Sequence, residues 1–294
     1  MGTDRIKLVR LGDKYIKHLF LLPAVLWILI FSFFPLLWSL GISFFNYRLG
    51  RPAQFVWFEK FAKAFSDYKV ANSMKVTVIY VLGGVLVEIV LGMFLALLFN
   101  QKMRGRQLFR TLLTMPLFAT PVAVGFLAIT IFYEEGGPIN SFLELFGLKV
   151  AWLSHPTWAL VAILILDIWQ WTPFCFLVFL AALQSLPEEI YEAASLDYSS
   201  QWQIFRRLTL PLLQPILIIV LLLRLIEAVK VFDFPFILTK GGPGTATEVY
   251  SMFVYRTGLK FFDLGYASAL AYLMLVVVMV MVTFFFKRMR EIYE

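Results

Sequence analysis

One cysteine and two histidines are all that this chain of 294 residues offers to sulfur or imidazole chemistry. A lone Cys175, set inside an apolar run, builds no intramolecular disulfide framework. His18 and His155 stand at the edges of two apolar runs with no second ligand beside either, so no zinc or haem spacing exists. No Ser–His–Asp pattern is present. The glycine-rich stretch at 239–247, TKGGPGTAT, does not fit G-x-x-x-x-G-K-[ST] and reads as a turn on the outer side rather than a phosphate cradle. Charge is scarce as well. Only 15% of the residues are charged against 61% hydrophobic, which is too apolar for a soluble domain of this length. These absences argue against an enzyme site and against a soluble protein.

What the chain has is long apolar runs. A membrane-crossing helix needs about 20 apolar residues. Six stretches qualify, at 19–45, 77–99, 112–132, 158–183, 209–238 and 266–286. None alternates as barrel strands do, and lipid admits only helices or closed barrels. The expected class is all-α: a polytopic membrane protein with six transmembrane helices. No internal repeat stands out, although a three-plus-three layout leaves one open. The opening segment, MGTDRIKLVRLGDKYIK, is basic and lacks a small-residue cleavage site, so the first run reads as a retained span and not a removed signal.

The net charge of +7 gathers near the ends of the runs, which speaks for membrane topology and not for nucleic acid. Arg5, Lys7, Arg10, Lys14 and Lys17 share one side with Lys102, Arg104, Arg106, Arg110, Arg206, Arg207, Lys287, Arg288 and Arg290. The opposite loops are longer and their basic residues more dispersed. The bias places both termini and the 184–208 loop in the cytoplasm, while the 47–76 loop pulls weakly the other way. The domain reading is a cytoplasmic segment at 1–18, a membrane domain at 19–286 that includes the 184–208 loop, and a cytoplasmic tail at 287–294.

Two features inside the runs point to a polar interior. Pro116 and Pro121 fall in the third run; Pro211, Pro215 and Pro235 fall in the fifth. Each frees backbone groups that protein or water must satisfy, so these spans should pack inside the bundle or border a cavity. Ionisable residues are costly in hydrocarbon, yet Glu88, Asp167, Arg224, Glu227, Lys230 and Asp233 lie within runs. The last four recur every third residue, so each acid can pair with a neighbouring base on one helical stripe. Such a stripe is polar with little net charge. It suits either a wet path for a neutral polar solute or an ion-pair ladder holding helices in register; Lys230 and Asp233, nearer the outer face, can reach interfacial water. Beside it, Trp169, Trp171, Phe174 and Phe176 surround Gln170, the aromatic-plus-amide chemistry that grips a sugar ring. Aromatics make up 17% of the chain, so most of them serve packing or the interfacial belt.

The polar island at 185–215 stands apart. Ser185 and Glu188 have capping-box spacing with Pro187 in the first turn, and Ser200 with Gln203 repeats it. Between them Asp197, Tyr198, Ser199 and Ser200 favour a turn. The expectation is two short helices, one ending near Leu196 and the other near Pro211. Such order suits a docking surface for another protein; the alternative is an interfacial hairpin lying on lipid.

Within that island, EAASLDYSSQWQIFRRLTLPLLQP resembles the EAA loop of ATP-binding-cassette importer permeases, with Glu192, Ala193, Ala194, Asp197, Phe205, Leu210 and Pro211 at the motif positions. Tyr198 stands where that family usually has glycine. The stretch FDFPFILTKGGPGTATEVYSMFVYRTGLKFFDLGYASALAYL, the segment MPLFATPVAVGFLAITIFYEEGGPIN and IWQWTPF are similar to the carbohydrate-uptake branch, which includes maltose, multiple-sugar and glycerol-phosphate transporters. The resemblance covers most of the chain after residue 75. It implies a type I importer permease fold in a bacterial or archaeal cytoplasmic (inner) membrane. The implied partners are a second, homologous permease, two ATPase subunits that hold ATP and Mg, and an extracytoplasmic sugar-binding protein; this chain itself would bind no cofactor. Glu192 would make polar contacts in a cleft of the ATPase, and Ala193 and Ala194 would allow close approach, with Asp197, Phe205 and Pro211 completing the coupling motif. The candidate solute path is Trp169, Gln170, Trp171, Phe174, Glu227 and Lys230, with no catalytic or metal-binding residue. A competing reading is an ion-coupled transporter or channel relaying through Glu88, Asp167 and Glu227. Bases adjacent to Glu227 would keep it ionised, which counts against a relay.

Overall fold

The computed structural model describes residues 19–101, 104–198 and 200–293. The basic segment expected in the cytoplasm at 1–18, together with Lys102 and Ser199, lies outside the described residues. Among the described residues five helices are long and apolar enough to cross a membrane, and a sixth crossing exists if one bent pair counts as a single span. In chain order the elements are α1 (Leu19–Ser43), β1 (Phe45–Asn46), β2 (Gln54–Phe55), α2 (Glu59–Ser66), α3 (Tyr68–Asn100) and α4 (Arg106–Phe118). There follow α5 (Pro121–Ile131), α6 (Pro138–Glu144), α7 (Pro156–Gln184), α8 (Glu188–Asp197), α9 (Gln201–Ile204), α10 (Leu210–Val229), α11 (Asp233–Leu238), α12 (Tyr250–Tyr255) and α13 (Leu264–Tyr293).

Proline decides where the apolar runs bend. The run at 112–132, expected as one span, is instead α4 and α5 meeting at 98°. Pro121 opens α5 and has no N–H to give, and the residue before a proline is pushed out of the helical region. Ala119 and Thr120 are accordingly extended, at φ −76°, ψ 134° and φ −68°, ψ 123°. The run at 209–238 also breaks. α10 ends at Val229, and α11 starts afresh at Asp233 with Pro235 in its first turn, where the ring would meet the carbonyl of Val231 had the helix continued. Elsewhere proline is absorbed by a wider turn. Leu29–Phe33 and Phe205–Thr209 are π turns, each ending two residues before a proline (Pro35 and Pro211). The wide turn gives the ring room, so the helix runs on.

The chain divides into two compact units. One consists of residues up to Ala64 with Arg256–Leu273. Here α1 leaves the apolar run into a two-stranded hairpin that pairs Phe45 with Phe55 and Asn46 with Gln54. The start of α13 is tied to it: Gly265 donates its N–H to Tyr47 O at 3.0 Å, and a side chain at Gly265 would collide with the Phe45 carbonyl. Asp263 caps α13 by accepting from Tyr266 N at 3.2 Å. α1 is apolar on every face and exposed along its length, as a helix bathed in lipid or covered by another membrane helix must be.

The other unit, Phe65–Tyr255 with Met274 onward, holds the main core. α3 and α7 pack along much of their length, with α10 laid against both. Small residues allow the approach. A Cβ at Gly92 would stand 2.5 Å from Cys175 Cβ and 2.9 Å from Phe176 N. Tyr80, Val85, Ala96, Ile163, Phe176, Phe179 and Val220 fill the seam. α11 lies on α5, where Gly125 makes room for Ile237. The 239–247 stretch is a closed turn: Thr247 donates Oγ1–H to Gly242 O at 2.8 Å, with Gly241 and Gly244 at φ +86° and +62°.

Candidate functional site

Three ionisable side chains meet where α3, α7 and α10 come together. Arg224 donates through Nε to Glu88 Oε2 at 2.6 Å and through Nη2 to Glu88 Oε1 at 3.0 Å, a two-pronged carboxylate grip. The same Nη2 lies 3.4 Å from Asp167 Oδ2. Relative exposure is 1% for Arg224, 0% for Glu88 and 3% for Asp167. Gly84, one turn before Glu88, leaves the space for α7 to bring Asp167 in; a Cβ there would sit 3.1 Å from Asp167 Oδ2. The Trp171 ring covers the guanidinium, 4.4 Å from its centroid, so the cation is also held by an aromatic face.

This corrects the stripe read along one helix. Arg224 does not pair with Glu227. Helical side chains lean back toward the N-terminus, so Arg224 extends away from Glu227 and finds carboxylates on two other helices. Glu227 pairs with Lys230 at 2.9 Å on a half-exposed surface. Nor does the stripe continue as a helix to Asp233, because the chain breaks at 230–232. The ladder holding helices in register is realised across helices, by Arg224.

Above the buried cluster opens a cleft of about 190 Å³, lined by Pro121, Asp167, Gln170, Trp171, Arg224, Glu227, Lys230 and Asp233 among others. Four of the proposed path residues therefore converge: Gln170, Trp171, Glu227 and Lys230. Gln170 donates Nε2–H to Ala119 O at 2.9 Å, taking up a carbonyl exposed by the break at Pro121. Its Oε1 is buried without a hydrogen-bond partner among the described residues, as is Arg224 Nη1. Trp169 does not join them. It is 47% exposed, against an apolar groove with Leu112, Pro116 and Ile168. Trp169 and Trp171 lie about 200° apart on the helix, so a cleft lined by Trp171 leaves Trp169 on the other side of α7. Phe174 packs against the core, its ring centroid 6.3 Å from that of Trp171 in an edge-on arrangement. Arg224 and Pro121 also line the cleft, outside the six path residues expected from the sequence; the second proline, Pro121, five residues after Pro116, was the local signal for a break.

The polar island takes a different form from the one its spacing suggests. Ser185 does not cap the start of α8; it is the C-cap of α7, and its hydroxyl donates to Ala182 O at 2.7 Å. Pro187 stands at the N-cap of α8 and not in its first turn. Ser200 does cap α9, accepting from Trp202 N at 3.3 Å. The second helix does not end near Pro211, because the π turn at Phe205–Thr209 carries α9 straight into α10. α8 is thus the one short helix of the island. Tyr191 Oη donates to Thr209 Oγ1 at 3.2 Å and ties α8 to the foot of α10. Tyr198 is extended at φ −118°, ψ 131°, an ordinary conformation for a side-chain-bearing residue, and the Arg207 guanidinium lies 5.7 Å from its ring centroid. Ala194 is buried, Phe205 is partly buried, and Glu192, Ala193, Asp197 and Pro211 are exposed. So are Leu196 and Trp202, large apolar side chains that the sequence reading passed over. Among the described residues no group of three or more His, Cys, Asp or Glu could hold a metal ion.

Residues 88–291, which include both the cleft and α8, match the family described as binding-protein-dependent transport system inner membrane component. A sulfoquinovosyl glycerol transport system permease of Agrobacterium fabrum is 35% identical over 272 residues, 90% of this chain and 87% of that protein. The trehalose/maltose transport system permease of Thermococcus litoralis is 34% identical over 95% of each chain. Among solved structures, a chain of a bacterial alginate ABC transporter, crystallised with its alginate pentasaccharide-bound periplasmic protein, superposes with a TM-score of 0.83 at 27% identity over 94% of both chains. The fold, the cleft at the helix break and these likenesses agree, and the chain belongs to the binding-protein-dependent transport system inner membrane components, as an importer permease subunit.

Proposed function

We propose that this chain is one membrane half of an ATP-driven importer whose solute is a carbohydrate or related polyol, with ATP hydrolysed in separate subunits. The observation that carries this reading is the family match across 88–291, which spans the polar cleft and the exposed helix α8 together. The similar proteins are named for sulfoquinovosyl glycerol, trehalose, maltose and alginate, all of which carry hydroxylated sugar rings. The cleft suits that chemistry. Trp171 offers an aromatic face, Gln170 an amide, and the paired Glu227 and Lys230 offer both an acceptor and donors.

α8 is the coupling element of this proposal. Its outward Glu192 and Ala193, with Leu196 and Trp202 beside them, form the surface that meets the ATPase; Tyr191 passes the movement to α10 through Thr209. Ala194 and Phe205 hold the element to its own chain, while Asp197 ends α8 and Pro211 stands in the first turn of α10. The basic residues Arg104, Arg106, Arg110, Arg206, Arg207, Lys287, Arg288 and Arg290 support a cytoplasmic side for this end of the membrane domain and the C-terminus. A second permease covers exposed apolar helix faces, a pair of ATPases carries ATP and Mg, and a solute-binding protein delivers from outside the cytoplasmic membrane.

The ion-relay reading is not favoured, since Glu88 and Asp167 are both engaged with Arg224 and neither stands free as a carrier. Proteoliposomes holding the assembled transporter and its binding protein test the proposal: uptake of a radiolabelled sugar should require ATP on the ATPase side and survive collapse of the ion gradients. Uptake driven by an imposed gradient without ATP would overturn it.

A further inference from the structure

Three cations surround one small cup at the end of α1. The cup holds roughly 420 Å³ and is lined by Asn46, Arg48, Arg51, Pro52, Gln54 and Lys60. One carboxylate lies beneath it. Asp263 accepts from Arg48 Nε at 3.0 Å, lies 3.9 Å from Lys60 Nζ, and caps α13 at the same time. Lys60 is only 5% exposed, and its ammonium donates to Asn46 Oδ1 at 2.7 Å. The Arg51 guanidinium makes no hydrogen bond or ion pair among the described residues. The cup therefore holds two more positive charges than negative ones. Glu59 and Lys63 of α2 add one charge of each sign nearby and leave that balance unchanged.

Its position says what could use that charge. The cup sits where α1 has just left its apolar run and where α13 is about to enter its own, with Arg48 bridged to Asp263 between them. Two membrane-crossing helices end at the same level there, which is the level of lipid headgroups. The exposed rings around it fit that level: Phe55, Trp57, Phe58, Phe261 and Phe262 all face outward. Trp57 and Phe262 do so from left-handed backbone, at φ +50° and +54°, a conformation bulky residues seldom adopt. Burial pushes the Lys60 ammonium below its usual range against the pull of Asp263, and an arriving anion would relieve that cost.

We propose that Arg48, Arg51 and Lys60 form a phosphate-binding cup that holds the headgroup of an anionic phospholipid at the membrane surface. Planar guanidinium groups match phosphate oxygens in pairs, and the surrounding rings lie among the upper acyl chains. Neither the solute cleft nor α8 takes part, so the cup stands or falls independently of the proposed transport function.

The test is native mass spectrometry of the full chain, purified with its partners in mild detergent, reading the fraction that carries a phospholipid adduct. Arg51→Ala should lower that fraction by about fivefold, one basic side chain's contribution at an anionic lipid surface, and Arg51→Glu should lower it further. The Arg51 side chain is exposed and has no hydrogen bond or ion pair among the described residues, so neither variant breaks one. Lys69→Glu, an exposed lysine on another segment, should leave the adduct unchanged. An adduct fraction indifferent to Arg51 overturns the proposal. So does an Arg51-dependent adduct of added inorganic phosphate with no phospholipid, which would make the cup a site for a free anion. Arg51-dependent loss of a co-purifying acidic protein, with lipid retained, overturns it equally.

Discussion

Arg224 Nε stands 2.6 Å from Glu88 Oε2, although the two residues are 136 positions apart in the chain. This contact, with the longer one to Asp167, makes three membrane helices a single mechanical body. A buried ion pair adds little net stability over well-packed apolar side chains, but removing one partner strands the other. Arg224→Met should therefore lower stability by about 3–5 kcal/mol, read as an early loss of monodisperse protein on heating in detergent. The triple variant Glu88→Leu, Asp167→Leu, Arg224→Met should recover most of that loss, because no charge is left unpaired. A triple variant as unstable as Arg224→Met would show that the cluster does more than balance charge.

The α3–α7 seam depends on the absence of a side chain at Gly92. Gly92→Leu forces apart backbones that now meet at Cys175 and Phe176, and should cost about 1–3 kcal/mol or more in thermal unfolding. Gly41→Ala is the control. Its Cβ would meet nothing within 4 Å, and alanine favours helix by about 1 kcal/mol over glycine, so the melt should hold or rise.

Trp171 has two roles to separate. Its ring covers Arg224 and also lines the cleft. Trp171→Ala should lower solute uptake while the assembled transporter purifies in normal yield, and Trp171→Phe, which keeps a ring face, should restore part of it. Unchanged uptake in the alanine variant would remove the stacking role.

Glu192 is exposed on α8, and its side chain makes no hydrogen bond or ion pair among the described residues. Glu192→Lys should leave membrane insertion intact and uncouple uptake from ATP hydrolysis, so that hydrolysis persists or falls while solute no longer accumulates. Coupled uptake at the normal ratio would exclude α8 as the site of transmission.

Legibility differed from element to element for physical reasons. Apolar length revealed the spans, since a run such as 158–183 has no other use in water, and the helix observed is Pro156–Gln184. Proline marked the breaks at 119–120 and 230–232, but the same residue is tolerated at Pro35 and Pro211, where a π turn absorbs it. Nothing local tells these outcomes apart; the carbonyl partner does, as Gln170 shows at Ala119. The partners of Arg224 were illegible because a spacing of three describes only neighbours on one helix, whereas a buried arginine is satisfied by whatever carboxylates the packing brings. Ser185 and Glu188 have the spacing of a cap, yet Pro187 starts the helix later and leaves Ser185 to close α7. Helix periodicity separates Trp169 from Trp171 by about 200°, so the two cannot line one cleft together; which of them does is decided by packing.

The most direct test of the central claim is affinity purification of this chain from its native membranes in mild detergent, with mass spectrometry of everything that accompanies it. The account predicts a second membrane protein of the same family and an ATP-binding-cassette ATPase, recovered together and at fixed proportion to this chain. A chain recovered alone, or only with copies of itself, would contradict the account and return α8 to the lipid surface.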